Sequence, residues 1–444
     1  MTGLHQKKNE IQLSALKSHH DADGYSTLCL CTGSGKSRIA VLRAIEIVKK
    51  NPNAKIFLAV PTEKLRDQNW KEEFEKWGAI EIFNKNLTRA CYVSLHKYTN
   101  YEWDLVLLDE IHHVTPACFP FFTTSEIHSI LGLTATYPKD KIKKNILDTL
   151  APISFNYPLE QGLKDGVVAP FTVDVIWTDL DAVQKIVNAG PKSKPFKTTE
   201  VLSYQFWNNS FEKNKEDMNN LSKHLHSYGW SEEGQVAFDL IAINRGKDYL
   251  DSLTKTAEDK KYLKRIVGQY FGLKGARFRI IGARKALINN AINKERIANR
   301  FINEIFEDER RYLVFCGGID QSIRLLDDCV FNSKSDSQAY DAFLNEELNI
   351  LGVVNAVNEG TNIPNLDEAL IIQISAQELH LIQRIGRVIR VREGHLGKIY
   401  IICVRGTQDE VWLKSALKGI SNIIINEWDE KDFFEQIKSL KLAF

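Results

Sequence analysis

A chain of 444 residues with 43% hydrophobic and 26% charged residues is too long for one ordinary core and describes a soluble globular protein of two or three domains. With 58 Lys and Arg against 57 Asp and Glu, attraction for nucleic acid has to come from local patches and not from a global field. Seven cysteines without a CxxC pair argue against a disulfide framework, as do His19-His20 and His112-His113, without further ligands at metal spacing, against a zinc site. No apolar run reaches membrane length and no signal peptide opens the chain, so a reducing, cytoplasmic location is expected.

From the N-terminus, Leu4, Ile11, Ala15 and Leu16 give a loose helical spacing that Asp21 to Gly24 break. The stretch Leu28-Cys29-Leu30-Cys31-Thr32-Gly33-Ser34-Gly35-Lys36-Ser37 then reads as an apolar strand, a Gly-rich turn, a lysine, a hydroxyl and a helix from Arg38 to Lys50. That arrangement is a phosphate cradle: backbone N–H groups of Thr32, Gly33, Ser34 and Gly35 converge on anionic oxygens at a helix start. Lys36 is expected to meet the β- and γ-phosphates and Ser37 to take one position on Mg²⁺, which makes ATP and Mg²⁺ the expected cofactors. The departure from G-x-x-x-x-G-K-[ST] is Leu30, which stands where the first glycine usually sits.

Alternation follows: a strand at Ile56 to Val60, a helix through Trp70 and Trp77, strands near Ala90 to Val93 and Leu105 to Leu108, and the run Ile130 to Leu133 before Thr134. Strands that are apolar throughout, separated by helices, imply a parallel sheet covered on both faces. Four apolar residues lead directly into Asp109 and Glu110. Asp109 is placed to hold Mg²⁺, through water, and Glu110 to orient and polarise an attacking water.

The middle of the chain, roughly 180 to 290, loses the strand rhythm and takes helical spacing. Between Thr254 and Leu287 basic residues, among them Lys260, Lys261, Lys264 and Arg265, are interleaved with Tyr262, Tyr270, Phe271 and Phe278. This mixture suits nucleic-acid binding, and it equally suits a solvated helical face over a local core. From Arg311 the α/β rhythm resumes with strands at Tyr312 to Cys316, Leu351 to Val354, Ala369 to Ile374 and Ile399 to Val404, and the tail from Trp412 to Phe444 reads as a closing helical segment.

Asp109-Glu110-Ile111-His112 resembles the DExH motif of superfamily 2 helicases, and further motifs of that family follow in order along nearly the whole chain. The resemblance implies two tandem RecA-like, doubly wound parallel-sheet α/β domains, at 1–175 and 291–444, with a mainly helical, partly basic insert at 176–290. Gln6 resembles the adenine-reading glutamine; Pro61-Thr62 with Leu65 and Gln68 looks like the segment that touches the nucleic-acid backbone; Thr134-Ala135-Thr136 is similar to the motif that links hydrolysis to movement. Glu359, Gly360, Thr361 and Asn362 lie in a stretch resembling the segment that faces both nucleotide and nucleic acid, with Thr361 toward the latter, although the family usually has Asp where Asn362 stands. Gln383-Arg384-Ile385-Gly386-Arg387-Val388-Ile389-Arg390 is the most specific match. On a helix, Gln383, Arg387 and Arg390 project from one face, and the two guanidinium forks suit arginine fingers on the transferring phosphoryl group. His112 is placed either as a coupling residue or as a plain strand-end histidine, and Ser94 either as a phosphate donor or as a turn residue.

The expected activity is that of an ATP-dependent DNA helicase resembling the phage recombination and DNA-repair branch-migration helicases, acting on single-stranded or branched DNA such as forks and Holliday junctions. A double-stranded DNA translocase of a restriction or defence system and an RNA helicase are the alternatives; a silent scaffold is disfavoured by the intact Lys36, Asp109, Glu110, Arg387 and Arg390. Because Gln6 stands near the first residue, branch specificity is expected from the insert or from an accessory recombination or replication protein, and the chain is expected to be a monomer without membrane contact.

Overall fold

The computed structural model describes residues 2–31, 33–138, 140–188, 196–242, 248–307, 309–332, 334–335, 337–354, 366–374, 396–417 and 423–442. The first lobe opens with helix α1 (Thr2–Asp21), which buries Ile11, Ala15 and Leu16. Its strands are β1 (Tyr25–Leu30), β2 (Ile56–Val60), β3 (Leu87–Cys91), β4 (Glu102–Trp103), β5 (Leu105–Asp109), β6 (Glu126–Ile127), β7 (Ile130–Thr134) and β8 (Ile153–Tyr157). Six of them form one sheet in the order β3-β2-β5-β7-β1-β8, and every neighbouring pair is parallel. β2 and β7 are buried along their whole length, as continuous apolar strands must be when helices cover both faces. The short β4 and β6 pair with each other beside the main sheet.

The second lobe holds β9 (Phe171–Thr178), a small antiparallel hairpin of β10 (Ile186–Asn188) and β11 (Phe196–Thr198), and then β12 (Tyr312–Phe315), β13 (Val330–Phe331), β14 (Ile350–Val353), β15 (Glu368–Ile371), β16 (Gly397–Val404) and β17 (Ile424–Asp429). Seven of these make a second all-parallel sheet, ordered β13-β14-β12-β15-β16-β9-β17. The expected α/β fold with two parallel-sheet domains and a helical segment between them is thus present.

Two details differ from the sequence reading. The second sheet takes β9 before the insert begins, so it starts ahead of the expected boundary at 175. Nothing local in an apolar strand names its sheet; long-range pairing does, here with β16 on one side and β17 on the other. The tail, in turn, is not helical throughout, because Ile424–Asp429 forms β17 at the sheet edge. Its register is clamped by Asp174 of β9, whose Oδ1 accepts from Asn426 Nδ2 at 2.9 Å and from Trp428 Nε1 at 2.8 Å.

Between the lobes, the helices Glu200–Ser227 and Ala257–Asn289 pack together, capped by Thr199 and Thr256, whose hydroxyls accept from the backbones of Leu202 and Asp259. Met218, Leu225, Trp230, Leu263, Ile266 and Tyr270 form a small core of their own there. The root of this insert is built into the second lobe by buried polar contacts. Glu200 accepts from the backbones of Asp181 at 2.8 Å and Ile292 at 2.9 Å, and Arg284 donates to Tyr204 and Gln408, each at 3.2 Å. Lys294, with no exposed side-chain surface, lies 2.5 Å from the equally buried Asp409 and donates to the Ile372 carbonyl at 2.8 Å. Burial pushes the Asp409 carboxyl above its ordinary range, and the Lys294 ammonium opposes that shift. Among the described residues no helix is long and apolar enough to cross a membrane.

Replacing Lys294 by Met leaves Asp409 as a buried carboxylate without its counter-charge, which costs about 3–5 kcal/mol. Urea denaturation of Lys294→Met should show that loss, and the double variant Lys294→Met/Asp409→Leu should regain most of it.

Candidate active site

In an all-parallel sheet every strand delivers its following loop to the same edge. β5, β7 and β1 are consecutive neighbours, so the segments after Asp109, Thr134 and Leu30 meet at the carboxyl edge of the first sheet. After β1 the chain turns through Gly33 (φ +84°) and Gly35 (φ +87°), both left-handed, and Ser34 Oγ closes the turn by donating to the Cys31 carbonyl at 2.6 Å. A side chain at Gly35 would also run into Gln12 Nε2. Lys36 begins α2 (Lys36–Lys50), is nearly buried, and donates to the Leu30 carbonyl at 3.2 Å. Half-buried Ser37 follows in the first turn, where the Arg38 backbone N–H donates to the Gly35 carbonyl at 3.2 Å. Leu30 proves to be the last residue of β1, fully buried and in register with Tyr157, so the turn starts one residue later and has no need of glycine there.

Asp109 ends β5, its Oδ2 accepting from Trp70 Nε1 at 2.9 Å and its carbonyl from Tyr92 Oη at 2.8 Å. Glu110 takes a left-handed conformation (φ 50°, ψ 58°) that residues with side chains rarely adopt. This twist sends its carboxylate back to β7, where Oε2 lies 3.2 Å from Thr134 Oγ1 and 3.4 Å from His112 Nδ1. Thr134 is fully buried; its Oγ1 accepts from the Thr136 backbone at 3.1 Å, sits 3.1 Å from His112 Nδ1, and approaches the Thr136 carbonyl at 2.7 Å. Half-buried Ala135 completes this turn, so Glu110, His112, Thr134 and Thr136 form one polar cluster. The nearby Cys29 thiol is pushed up by burial, with Lys36 opposing and Glu110 reinforcing the shift.

Along the same edge, Pro61 and Thr62 follow β2 and Ser94 follows β3 in the turn Tyr92–Lys97. Thr62 and Gln68 are exposed, Pro61 and Ser94 half-buried. Gln6 is exposed on α1 and donates to Glu10 at 3.3 Å. The residue of α1 that meets the phosphate loop is Gln12, 4% exposed, whose Nε2 donates to the Ser34 carbonyl at 2.8 Å while its Oε1 accepts from Arg38. Arg38 in turn lies over the Trp77 ring, 4.5 Å from its centroid. Gln12, Trp70 and Tyr92 are not singled out by the sequence. In the insert, Lys260 pairs with Asp251 and Lys264 with Asp248 at 2.8 Å, whereas Lys261 and Arg265 are exposed, Arg265 lying 5.2 Å from the Tyr262 ring centroid. Thr32, Glu359, Gly360, Thr361, Asn362, Gln383, Arg387 and Arg390 lie outside the described residues.

These residues fit a metal-bound nucleotide. Two glycines leave the loop backbone open at a helix start, and a lysine, a hydroxyl and a carboxylate stand at the same edge. Among the described residues no cluster of three or more His, Cys, Asp or Glu could hold a metal by itself.

Residues 5–139 match the family model described as type III restriction enzyme, res subunit, and residues 298–392 match the helicase conserved C-terminal domain. The chain belongs to helicase superfamily 2. The chain is 26% identical over 422 residues to "Putative helicase 22" of Sulfolobus islandicus filamentous virus, covering 90% of this chain and 63% of that protein. It is 23% identical to the "Putative ATP-dependent RNA helicase" of Methanocaldococcus jannaschii, covering 88% of this chain and 57% of that protein. The chain therefore spans less than two thirds of either relative's length. Its fold is similar to that of S. cerevisiae Dbp5 bound to RNA and ADP–BeF3, with a TM-score of 0.51 at 12% identity over 99% of this chain and 95% of the other.

The Gln12 amide holds the phosphate loop to α1 by one buried hydrogen bond. Its removal in Gln12→Ala costs about 1–2 kcal/mol locally, so amide hydrogen exchange at residues 33–38 should accelerate roughly tenfold while exchange in β2 stays unchanged.

Proposed function

We propose that this helicase is a nucleic-acid-stimulated ATPase that moves along DNA and separates or remodels branched strands, hydrolysing ATP between its two lobes. The observation that carries the reading is the meeting of Lys36, Asp109, Glu110 and Thr134 at the ends of three adjacent parallel strands. In this reading Lys36 and the loop N–H groups bind the phosphates, Ser37 and Asp109 hold Mg²⁺, and Glu110 orients the attacking water. The Mg²⁺ ion supplies neutralisation of charge on the phosphate oxygens. Thr134 and His112, bonded to Glu110, relay its state to the turn that follows β7. In the same reading Arg387 and Arg390 would act as arginine fingers on the transferring phosphoryl group, which makes hydrolysis depend on lobe closure.

DNA is favoured by the restriction-enzyme character of the model matched at 5–139, since restriction is an operation on DNA. The same match supports a duplex translocase, and the name of the Methanocaldococcus relative supports RNA as the second reading. We assign residues 1–170 to the first lobe, the span from 179 to 291 to the insert, and β9 with residues 292–444 to the second lobe, acting as a cytoplasmic monomer with recombination or replication proteins as partners.

Steady-state ATP hydrolysis should be stimulated most by single-stranded DNA or a four-way junction, less by plain duplex or RNA. Lys36→Ala and Glu110→Gln should each lower the stimulated rate by at least about a hundredfold while leaving DNA binding in place. Retained turnover in Lys36→Ala would refute the site, and stimulation by RNA alone would move the helicase to the second reading. In the insert, Lys260 and Lys264 are already paired, so the salt slope of DNA binding should fall by about two on neutralising Lys261 and Arg265, and by less on neutralising Lys260 and Lys264. Equal slopes for both double variants would return the insert to a structural role.

A further inference from the structure

Trp70 makes two directional contacts that no catalytic role accounts for. Its backbone N–H donates to the Leu65 carbonyl, an i to i+5 bond that closes a widened helical turn over Leu65–Asn69. Such turns cost regular hydrogen bonding and cluster where function demands them. Its indole N–H donates to Asp109 Oδ2 at 2.9 Å, across 39 positions of sequence. The ring itself is 2% exposed and packs against Phe74, with centroids 6.2 Å apart. The turn that it closes is the exposed stretch after β2: Thr62, Glu63, Lys64, Asp67 and Gln68 all face solvent. Thr62 starts that turn, its hydroxyl accepting from Leu65 at 3.4 Å and its carbonyl from Arg66 at 3.1 Å. One rigid, buried side chain therefore joins an exposed polar turn to the carboxylate at the end of β5.

We infer that Trp70 is a positioning residue that couples occupancy of the 62–69 turn to the Asp109 carboxylate. The inference rests on the ATPase reading above. A neutral indole donor fixes the plane of the carboxylate without cancelling its charge, so Asp109 keeps its attraction for a cation while losing rotamer freedom. A nucleic-acid strand seated on the 62–69 turn shifts the backbone that Trp70 closes, and the indole carries this shift to Asp109. By linkage, metal-nucleotide bound at Asp109 alters strand affinity by the same factor.

The test measures that factor by binding, without turnover. Fluorescent mant-ADP is titrated into wild type, Trp70→Phe and Phe74→Leu at several MgCl₂ concentrations, with and without oligothymidine. Trp70→Phe removes the N–H and keeps an aromatic ring; Phe74→Leu loosens the same packing and keeps the N–H. In wild type and Phe74→Leu, oligothymidine should change the Mg–mant-ADP affinity several-fold. In Trp70→Phe this factor should collapse to about one, and half-saturation by Mg²⁺ should rise several-fold. A Trp70→Phe protein that keeps the wild-type coupling, or a wild type that binds both ligands without coupling, overturns the inference and leaves the ATPase reading standing. A wild type that binds no Mg–mant-ADP removes the ATPase reading and this inference with it.

Discussion

The parallel alignment of the first sheet is the constraint on which the site depends. Parallel strands have to be covered on both faces, because their crossovers put helices there, and they send every following loop to one edge. β2, β5 and β7 accordingly spend nearly all their side chains on the core, and β5 keeps its one charge for its last position. Asp109 and Thr134 are the first polar residues after long apolar runs because the strand ends there. Glu110 reaches Thr134 only through a left-handed backbone, so local strain is spent where two strand ends must be joined.

The second sheet obeys the same rule and adds a mechanical one. β9 enters it before the insert, β12 to β16 return to it afterward, and the insert is rooted between them by Glu200, Arg284, Lys294 and Asp409. Lys294 also donates to the carbonyl of Ile372, just past β15. Buried, paired polar groups at a root fix its geometry more sharply than apolar packing, since each lost partner leaves a costly buried atom. The two long helices are thus anchored to the second lobe. Toward the first lobe the insert's shorter helix Glu232–Ala242 offers Glu233 to Lys141 at 3.3 Å, an exposed ion pair of the kind that contributes little and breaks easily.

What was legible in the sequence follows the range of the interactions. The phosphate loop, the Asp109-Glu110 step and the Thr134 turn are fixed by a few consecutive residues, and the structure brings them together at one edge. Leu30 looked like a defect because the motif counts positions, whereas the fold asks only that the turn begin after the last paired residue. Gln12 and Trp70 were illegible because their partners lie 22 and 39 positions away, and a lone Gln or Trp on a helix carries no sign of what it meets. The same limit hid the membership of β9 and the strand in the tail, where Asp174 selects Asn426 and Trp428 across about 250 residues. The basic run of the insert was readable as composition, but not which lysines would be taken by Asp248 and Asp251.

The route by which the chain leaves the first lobe ties these features together. The helix Leu159–Lys164 and the residues up to β9 form the crossover, and they lean on the phosphate loop. The Val167 carbonyl is what a side chain at Gly33 would meet first, at 3.9 Å, and one at Gly162 would press on Cys31 Sγ at 2.8 Å. Asp165 pins the crossover from within, accepting from Tyr157 at 2.8 Å and Gln161 at 2.9 Å, and these bonds hold its carboxyl below the usual carboxylate range. Close packing transmits displacement, since an interior with few voids cannot absorb a shift locally. The segment that leads into β9 therefore lies directly against Cys31 and Gly33, and β9 itself pairs with β16 and β17 in the second sheet. The path from the phosphate cradle to the second lobe is short because the chain itself is the connection.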